Sequence, residues 1–271
     1  MNERLDVRKT YKLYAGGEFV RSESGRSYRA EGSNVPRASR KDLRDAIRSA
    51  RGAFPGWSRR TAMNRGQVLY RVAEMLDARR SQFAGLLGGG RPAGREVDAA
   101  VETLVWYAGL TDKLHQLVGT VNPVAGPYFN FTVPEPTGVV GVVAPDEPAL
   151  LGVVSRLAPV LCGGCTAVVL TSEPRPLAAL CLGEVVATSD VPGGVVNLLC
   201  GFRSELLPWL AAHMDVNAID AGGCSDEELA AVEAAAAANV KRVVRQDGGA
   251  PGPHRAAAFM EMKTIWHPVG V

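Results

Sequence analysis

Between residues 139 and 244 the chain alternates short apolar segments with stretches of helical character, and this alternation limits its fold more than any other feature. The apolar segments are Val139–Val143, Ala167–Leu170, Val195–Leu199, Ala218–Ile219 and Val243–Val244. Short runs of this kind, separated by helices, are typical of parallel strands that are buried on both faces. We therefore predict a parallel sheet covered by helices, with a ligand crevice beyond the carboxyl ends of its strands.

The residues before this region predict packing helices. Ser39 and Asp42 have the spacing of an N-terminal capping box, and Leu43, Ile47 and Ala50 then recur on one helical face. Segments near residues 69–76 and 101–108 repeat the same periodicity. The first part of the chain is therefore expected to be helical and to pack on the sheet.

A different pattern begins at Pro127, where aromatic and β-branched residues become frequent and alternate with polar ones, as in a half-buried strand. The complete prediction is an α/β fold: a Rossmann-like parallel sheet with flanking helices, an N-terminal helical part and a separate strand unit. Its segments are residues 1–118 for the helical part, 119–137 for the strand unit, 138–250 for the Rossmann-like domain and 251–271 for a join and a C-terminal strand.

Charge and hydropathy narrow the class of protein. The 30 basic and 28 acidic residues are interspersed and give a net charge of +2, so we expect no nucleic-acid partner. Arg156 interrupts the longest apolar run, and the first residues lack the apolar core of a signal peptide, so we expect no membrane partner and a cytoplasmic location. Five cysteines in mostly apolar contexts indicate reduced thiols rather than disulfides.

Five ordered segments resemble the cofactor-binding half of the aldehyde dehydrogenase family. They are YAGGEFV (14–20), AFPGWSRRTAMNRGQVLYRVAEML (53–76), EPTGVVGVVAP (135–145), VPGGVVNLLCGF (191–202) and NVKRV (239–243). Residues 259–271 resemble the C-terminal tail of the same family. The resemblance implies a truncated, non-catalytic member, in which the domain that carries the nucleophilic cysteine is expected to be missing.

The family's catalytic positions are changed in this sequence. Glu147 stands where the family has an asparagine that donates to the oxyanion, and a carboxylate only accepts hydrogen bonds. Gln246 stands in the place of the general base and cannot take up a proton, while Asp247, one residue further on, is expected to point to the other face. We therefore predict no catalytic residues and classify the chain as a pseudoenzyme.

The cysteines offer two weaker candidates for chemistry. Cys224 lies near the start of a helix, where a thiolate is favoured, and Cys162 and Cys165 have the spacing of a redox or zinc pair. Since neither is joined by a histidine or a second cysteine pair, we interpret all three as structural and predict no metal site.

The cofactor positions are also altered. The resemblance leaves Glu173 to accept a ribose hydroxyl and the turn at Gly201 and Phe202 to contact the nucleotide, as vestigial cofactor-binding residues. The family's lysine is either deleted or replaced by Thr171, and Asp220 puts a negative charge where the family binds a pyrophosphate. We therefore expect no cofactor, or weak NAD binding at most.

The resemblance implies that a projecting antiparallel strand unit, which builds dimers and tetramers in the family, is retained in this chain. The predicted interface residues are Tyr128, Phe129, Asn130, Phe131, Thr132 and Val133 with Lys263, Thr264, Ile265 and Trp266. An unpaired strand edge is a template for another chain. The resulting hypothesis is an assembly or regulatory subunit, whose partner is a full-length aldehyde dehydrogenase subunit or a second copy of this chain.

Three alternatives stay open. The chain could complete a shared active site in an NAD-dependent aldehyde oxidation complex, or it could sense a nucleotide or another small ligand in the emptied crevice. The C-terminal strand could also serve only to complete this chain's own sheet.

Overall fold

The computed structural model of the protein describes residue 7, residues 9–246 and residues 248–270. Its strands are β1 (Leu13–Ala15), β2 (Glu18–Val20), β3 (Ser27–Ala30), β4 (Ser33–Pro36), β5 (Thr120–Asn122), β6 (Tyr128–Pro136), β7 (Val139–Val143), β8 (Thr166–Leu170), β9 (Val196–Leu199), β10 (Ala218–Asp220), β11 (Arg242–Val244) and β12 (Met260–Pro268).

The helices are α1 (Arg40–Ser58), α2 (Ala62–Asp77), α3 (Arg80–Leu86), α4 (Gly90–Leu110), α5 (Leu114–Val118), α6 (Leu151–Cys162), α7 (Leu177–Ala187), α8 (Arg203–Ala212), α9 (Asp226–Ala237) and α10 (Pro253–Ala257). Ser39 begins α1 with the expected capping box, in which its hydroxyl accepts from the N–H of Asp42. Among the described residues, no helix is long and apolar enough to cross a membrane.

A seven-stranded sheet forms the centre of the fold, in the order β11-β10-β7-β8-β9-β1-β2. Strands β7 to β11 run parallel, and β1 closes one side in the antiparallel direction. Every residue of β7, β8, β9 and β10 is buried. The predicted α/β fold with a Rossmann-like parallel sheet is confirmed, since apolar strands of this length need helices on both faces.

The order of the strands fixes where a ligand crevice lies. From β7 the chain moves outward to β8 and β9 on one side, and it then returns to place β10 and β11 on the other side. The direction of winding therefore reverses between β7 and β10. In sheets of this class, the crevice at such a switch point lies beyond the carboxyl ends of the two strands.

A separate three-stranded antiparallel sheet has the order β12-β6-β5. The C-terminal strand β12 pairs with β6 of the same chain along its whole length, from Met260 opposite Pro136 to Pro268 opposite Tyr128. Phe259 and Met260 are buried in the main core and anchor the start of β12. The division of the chain into four segments remains a prediction.

Candidate functional site

The turn after β10 packs tightly against the loop after β7 at the switch point. The N–H of Gly223 donates to the carbonyl of Val143 at 3.0 Å. A Cβ atom on Gly223 would lie 2.4 Å from the carbonyl of Ala144, which is closer than van der Waals contact allows. Ser225 then begins α9 with a capping box in which Glu228 is the partner. The two loops therefore form a compact floor, and only glycine fits at position 223.

Arg203, the first residue of α8, spans these two loops. Its Nη2 donates to the carbonyl oxygen of Ala144 at 2.6 Å and to Oδ1 of Asp146 at 2.9 Å, while its Nη1 donates to the carbonyl oxygen of Gly223 at 3.0 Å. The Arg203 side chain is 12% exposed. One guanidinium group thus joins the ends of β7 and β10 across the crevice.

The three predicted cofactor residues lie together beside Arg203. The carboxylate of Glu173 accepts a hydrogen bond from the backbone N–H of Arg203, at the start of α8. The ring of Phe202 packs on Tyr28, with 5.3 Å between ring centroids, and Gly201 lies against the backbone of Ala38. In this arrangement Glu173 serves the helix terminus, where a carboxylate is favoured by the helix dipole.

Asp220, the last residue of β10, points into the protein. It is fully buried, its Oδ1 lies 3.6 Å from Nε of Arg156, and the same atom accepts from the N–H of Gly222 at 2.9 Å. Its Oδ2 is buried and has no hydrogen-bond partner among the described residues. Burial raises the pKa of Asp220 to about 6, and the Arg156 charge opposes part of that rise. Its charge is therefore directed at Arg156.

Glu147 and Gln246, which the resemblance places at the family's oxyanion and general-base positions, line one cavity. Glu147, Arg156, Gly222 and Gln246 all line a cavity of about 390 Å³ beyond the same strand ends. The Glu147 carboxylate is exposed and forms an ion pair with Arg175. The side chain of Gln246 is buried and hydrogen-bonds to Arg255 through both its oxygen and its nitrogen. Asp247 lies outside the described residues.

All five cysteines are buried free thiols. Burial raises the pKa of Cys162 and Cys200 to about 12 and that of Cys165 and Cys224 to about 11, and it also raises the pKa of Cys181. These side chains are therefore protonated at neutral pH, when they are weak nucleophiles. The described residues contain no group of His, Cys, Asp and Glu side chains that could hold a metal ion.

The predicted interface residues all lie on β6 and β12, but their exposure differs. Asn130 is buried and accepts a hydrogen bond from Asn122, whereas Tyr128, Phe129 and Trp266 are exposed. Lys263 and Thr264 are also exposed, and Phe131, Thr132, Val133 and Ile265 are half-buried. The sheet brings these ten positions together as one projecting unit.

Sequence reasoning missed the two arginines that organise the crevice. Arg156 entered only as an interruption of an apolar run, and Arg203 was not considered although it directly follows Gly201 and Phe202. A basic residue inside the otherwise apolar segment of α6 was the available signal, because a buried charge needs a partner.

Comparison with known proteins agrees with this architecture. The profile of the aldehyde dehydrogenase family matches residues 26–251. Retinal dehydrogenase 2 of Gallus gallus is 34% identical over 261 residues, which cover 90% of this chain and 50% of that protein. The chain spans about half the length of the curated relatives it matches.

Solved structures give the same result. An NAD+ complex of aldehyde dehydrogenase from Bacillus cereus has a TM-score of 0.80 at 27% identity, and the match covers 87% of this chain and 50% of that one. Betaine aldehyde dehydrogenase from Staphylococcus aureus in complex with NAD+ has a TM-score of 0.80 at 25% identity, and the match covers 89% of this chain and 50% of that one.

The expectation of no cofactor is wrong. The similar solved structures include NAD+ complexes of aldehyde dehydrogenases, which points to NAD(P) binding in that family. The expectation depended on Asp220 as a charge facing the phosphates and on the loss of the family's lysine near Thr171. The structure shows instead that Asp220 is buried against Arg156, so its charge is compensated within the protein.

The Asp220 carboxyl should give the folding free energy a distinct pH dependence. Its pKa is about 6 in the folded protein and 3.8 in the reference state, so the folded state holds its proton more tightly. The stability that this proton confers is present below pH 4 and is lost as the pH rises through 6. Relative to Asp220→Asn, the wild type should therefore lose about 3 kcal/mol between pH 3.5 and pH 7.

Urea unfolding of both proteins across this pH range measures that difference. Asp45→Asn, which removes an exposed carboxylate on α1, is the matched control. A constant difference between wild type and Asp220→Asn at all pH values would contradict the buried position of Asp220.

Proposed function

Because this chain belongs to the aldehyde dehydrogenase family, we propose that it acts as an assembly or regulatory subunit and does not itself oxidise aldehydes. The proposed partner is a full-length aldehyde dehydrogenase subunit or a second copy of the chain. The observation that carries the proposal is the projecting sheet of β5, β6 and β12, which combines an open strand edge with exposed aromatic side chains.

The open edge belongs to β12. Within the described residues β12 pairs only with β6, so the other side of this nine-residue strand is available for backbone pairing. Natural sheets usually protect such an edge, because its free N–H and C=O groups bind other strands. Lys263 is the one lysine or arginine on β12, and it is paired with Glu135 at 2.9 Å within the sheet. The charge of Lys263 is thereby directed toward β6, so it does less to prevent another strand from pairing with the open edge of β12.

Apolar side chains add to this surface. Trp266 is 58% exposed and its ring meets that of Tyr128 edge to face, with 5.7 Å between centroids. On the other face, Val121, Phe131 and Ile265 lie opposite one another in the strand register. Aromatic anchors of this kind contribute much of the binding energy in protein interfaces.

The proposal that the chain does not itself oxidise aldehydes rests on the chemistry of its cysteines, Glu147 and Gln246. Aldehyde oxidation through a thiohemiacetal needs an accessible thiolate, and all five thiols are buried with raised pKa values. Glu147 is an exposed carboxylate paired with Arg175, and a carboxylate cannot stabilise an oxyanion. Gln246 cannot act as a base.

A second candidate function is dinucleotide binding, which the NAD+ complexes of the similar structures favour. The ligand would belong at the switch point between β7 and β10. The residues found there do not leave that place open: Arg203 lies across it and bonds to both loops. In this arrangement a dinucleotide at the switch point would have to displace the Arg203 side chain from the two loops.

The assembly proposal predicts that removal of the outer part of β12 weakens association. A chain that ends at Glu261 keeps the buried Phe259 and Met260 but loses the strand edge and Trp266. We expect this truncated chain to become monomeric, or to be released from a full-length aldehyde dehydrogenase, while its core stays folded. Light scattering and co-purification measure the two outcomes, and circular dichroism checks the fold.

A point substitution tests the aromatic anchor. Trp266→Ala should raise the dissociation constant roughly tenfold or more, as expected for an exposed aromatic anchor. Trp209→Ala, which removes another exposed tryptophan from α8, should leave it unchanged. The assembly role is wrong if the truncated chain keeps both the mass and the partner binding of the full chain.

The inactivity proposal predicts no cysteine-dependent turnover. The purified chain, incubated with NAD+ or NADP+ and a panel of short, long and aromatic aldehydes, should produce no NADH or NADPH above background. Sustained production that a single cysteine-to-alanine substitution abolishes would identify an active thiol and overturn this proposal. Production that appears only with an added full-length subunit would favour the shared active site.

A further inference from the structure

Arg203 occupies the position in this fold where a ligand is expected. The reversal of winding places the crevice between the loop at Ala144–Asp146 and the turn at Asp220–Gly223. The guanidinium of Arg203 bonds to the carbonyl of Ala144 on one side and to that of Gly223 on the other. The side chain is almost buried, although it starts from a surface helix.

Two acidic side chains help to hold Arg203 in this position. Oδ1 of Asp146 lies 2.9 Å from Nη2, and a carboxylate oxygen of Glu228 lies 4.0 Å from Nη1. Asp146 is itself positioned by Ser172, whose hydroxyl donates to the same Oδ1 at 2.8 Å. Hydrogen bonds between ions are stronger than neutral ones, so this set of contacts favours the closed arrangement.

The closed arrangement is incompatible with a ligand phosphate at the switch point. The Arg203 side chain fills the space between the carbonyls of Ala144 and Gly223, and the N–H groups that it directs at the two loops are already used by those carbonyl oxygens. The backbone N–H of Arg203, a donor at a helix start, already bonds to Glu173. Entry of a dinucleotide therefore requires the Arg203 side chain to leave both loops.

We propose that Arg203 is a gate on the switch-point crevice, and that a dinucleotide binds only to the form in which this side chain has moved away from Ala144 and Gly223. The gate lowers the observed affinity by the fraction of molecules that are open, because ligand binds only that fraction. A weaker hold on Arg203 should thus tighten dinucleotide binding. This inference does not depend on the assembly proposal, since it concerns the crevice and not the three-stranded sheet.

Calorimetric titration with NAD+ tests the gate in the full chain. Arg203→Ala removes the side chain but keeps the backbone N–H that bonds to Glu173, and we expect it to bind NAD+ about tenfold or more tightly than wild type. Arg44→Ala, which removes an exposed arginine from α1, changes the net charge equally and should bind as wild type does. Thermal unfolding without ligand confirms that both variants are folded.

A second variant keeps Arg203 but weakens one of the contacts that hold its side chain between the loops. Asp146→Asn removes a charge from the hold on Arg203, retains an oxygen acceptor for Ser172 and should tighten NAD+ binding by a smaller factor than Arg203→Ala. It also tests the gate if Arg203→Ala does not fold. Unchanged NAD+ affinity in the folded variants would show that Arg203 does not close the crevice. Weaker binding would show that Arg203 holds the phosphates directly, and either result overturns the proposal.

Discussion

Burial of the parallel strands on both faces is the constraint from which the site follows. Strand β7 lies in the middle of the sheet, and helices cover it so completely that all five of its residues are buried. Any charge placed at the end of a neighbouring strand is then removed from water and requires a partner within the protein. Asp220 meets this requirement through Arg156, and the carbonyls at the ends of β7 and β10 meet it through Arg203.

These partners are supplied by helices on different parts of the chain. Arg156 comes from α6, which follows β7, and Arg203 begins α8, which follows β9. Each arginine crosses from its helix to the loops at the switch point, so helices on separate crossovers are joined there. A pair of this kind contributes more to a defined arrangement than to net stability, since burial of the two charges offsets much of their attraction.

The sequence predicted the strands well because their signal is local. The apolar run at Val139–Val143 coincides with β7, and the capping box at Ser39 and Asp42 coincides with the start of α1. The side-chain partners were not predictable in the same way. Asp220 and Arg156 are 64 positions apart, and only the strand order brings them together. A charge read as facing a ligand from its place in a motif proved to be buried, because motif position does not determine side-chain direction.

The partner of the C-terminal strand β12 was also not predictable from the sequence. The resemblance of residues 259–271 to the family's C-terminal tail predicted a strand, but the sequence could not say whether the partner of that strand lay in this chain or in another. The structure pairs it with β6 of the same chain over nine positions and leaves its outer edge open. The two hypotheses for this strand are therefore compatible, since completing its own sheet is what creates the edge that a second chain could use.

The three-stranded sheet and the crevice lie at opposite ends of the parallel strands. Strand β6 ends three residues before β7 begins, and Cys165, just before β8, hydrogen-bonds to Phe259 at the base of β12. The three-stranded sheet is thus attached at the amino ends of β7 and β8, whereas Arg203 and Asp220 act at the carboxyl ends. A change in either region should leave the contacts of the other intact, because distant sites that share no partners couple weakly.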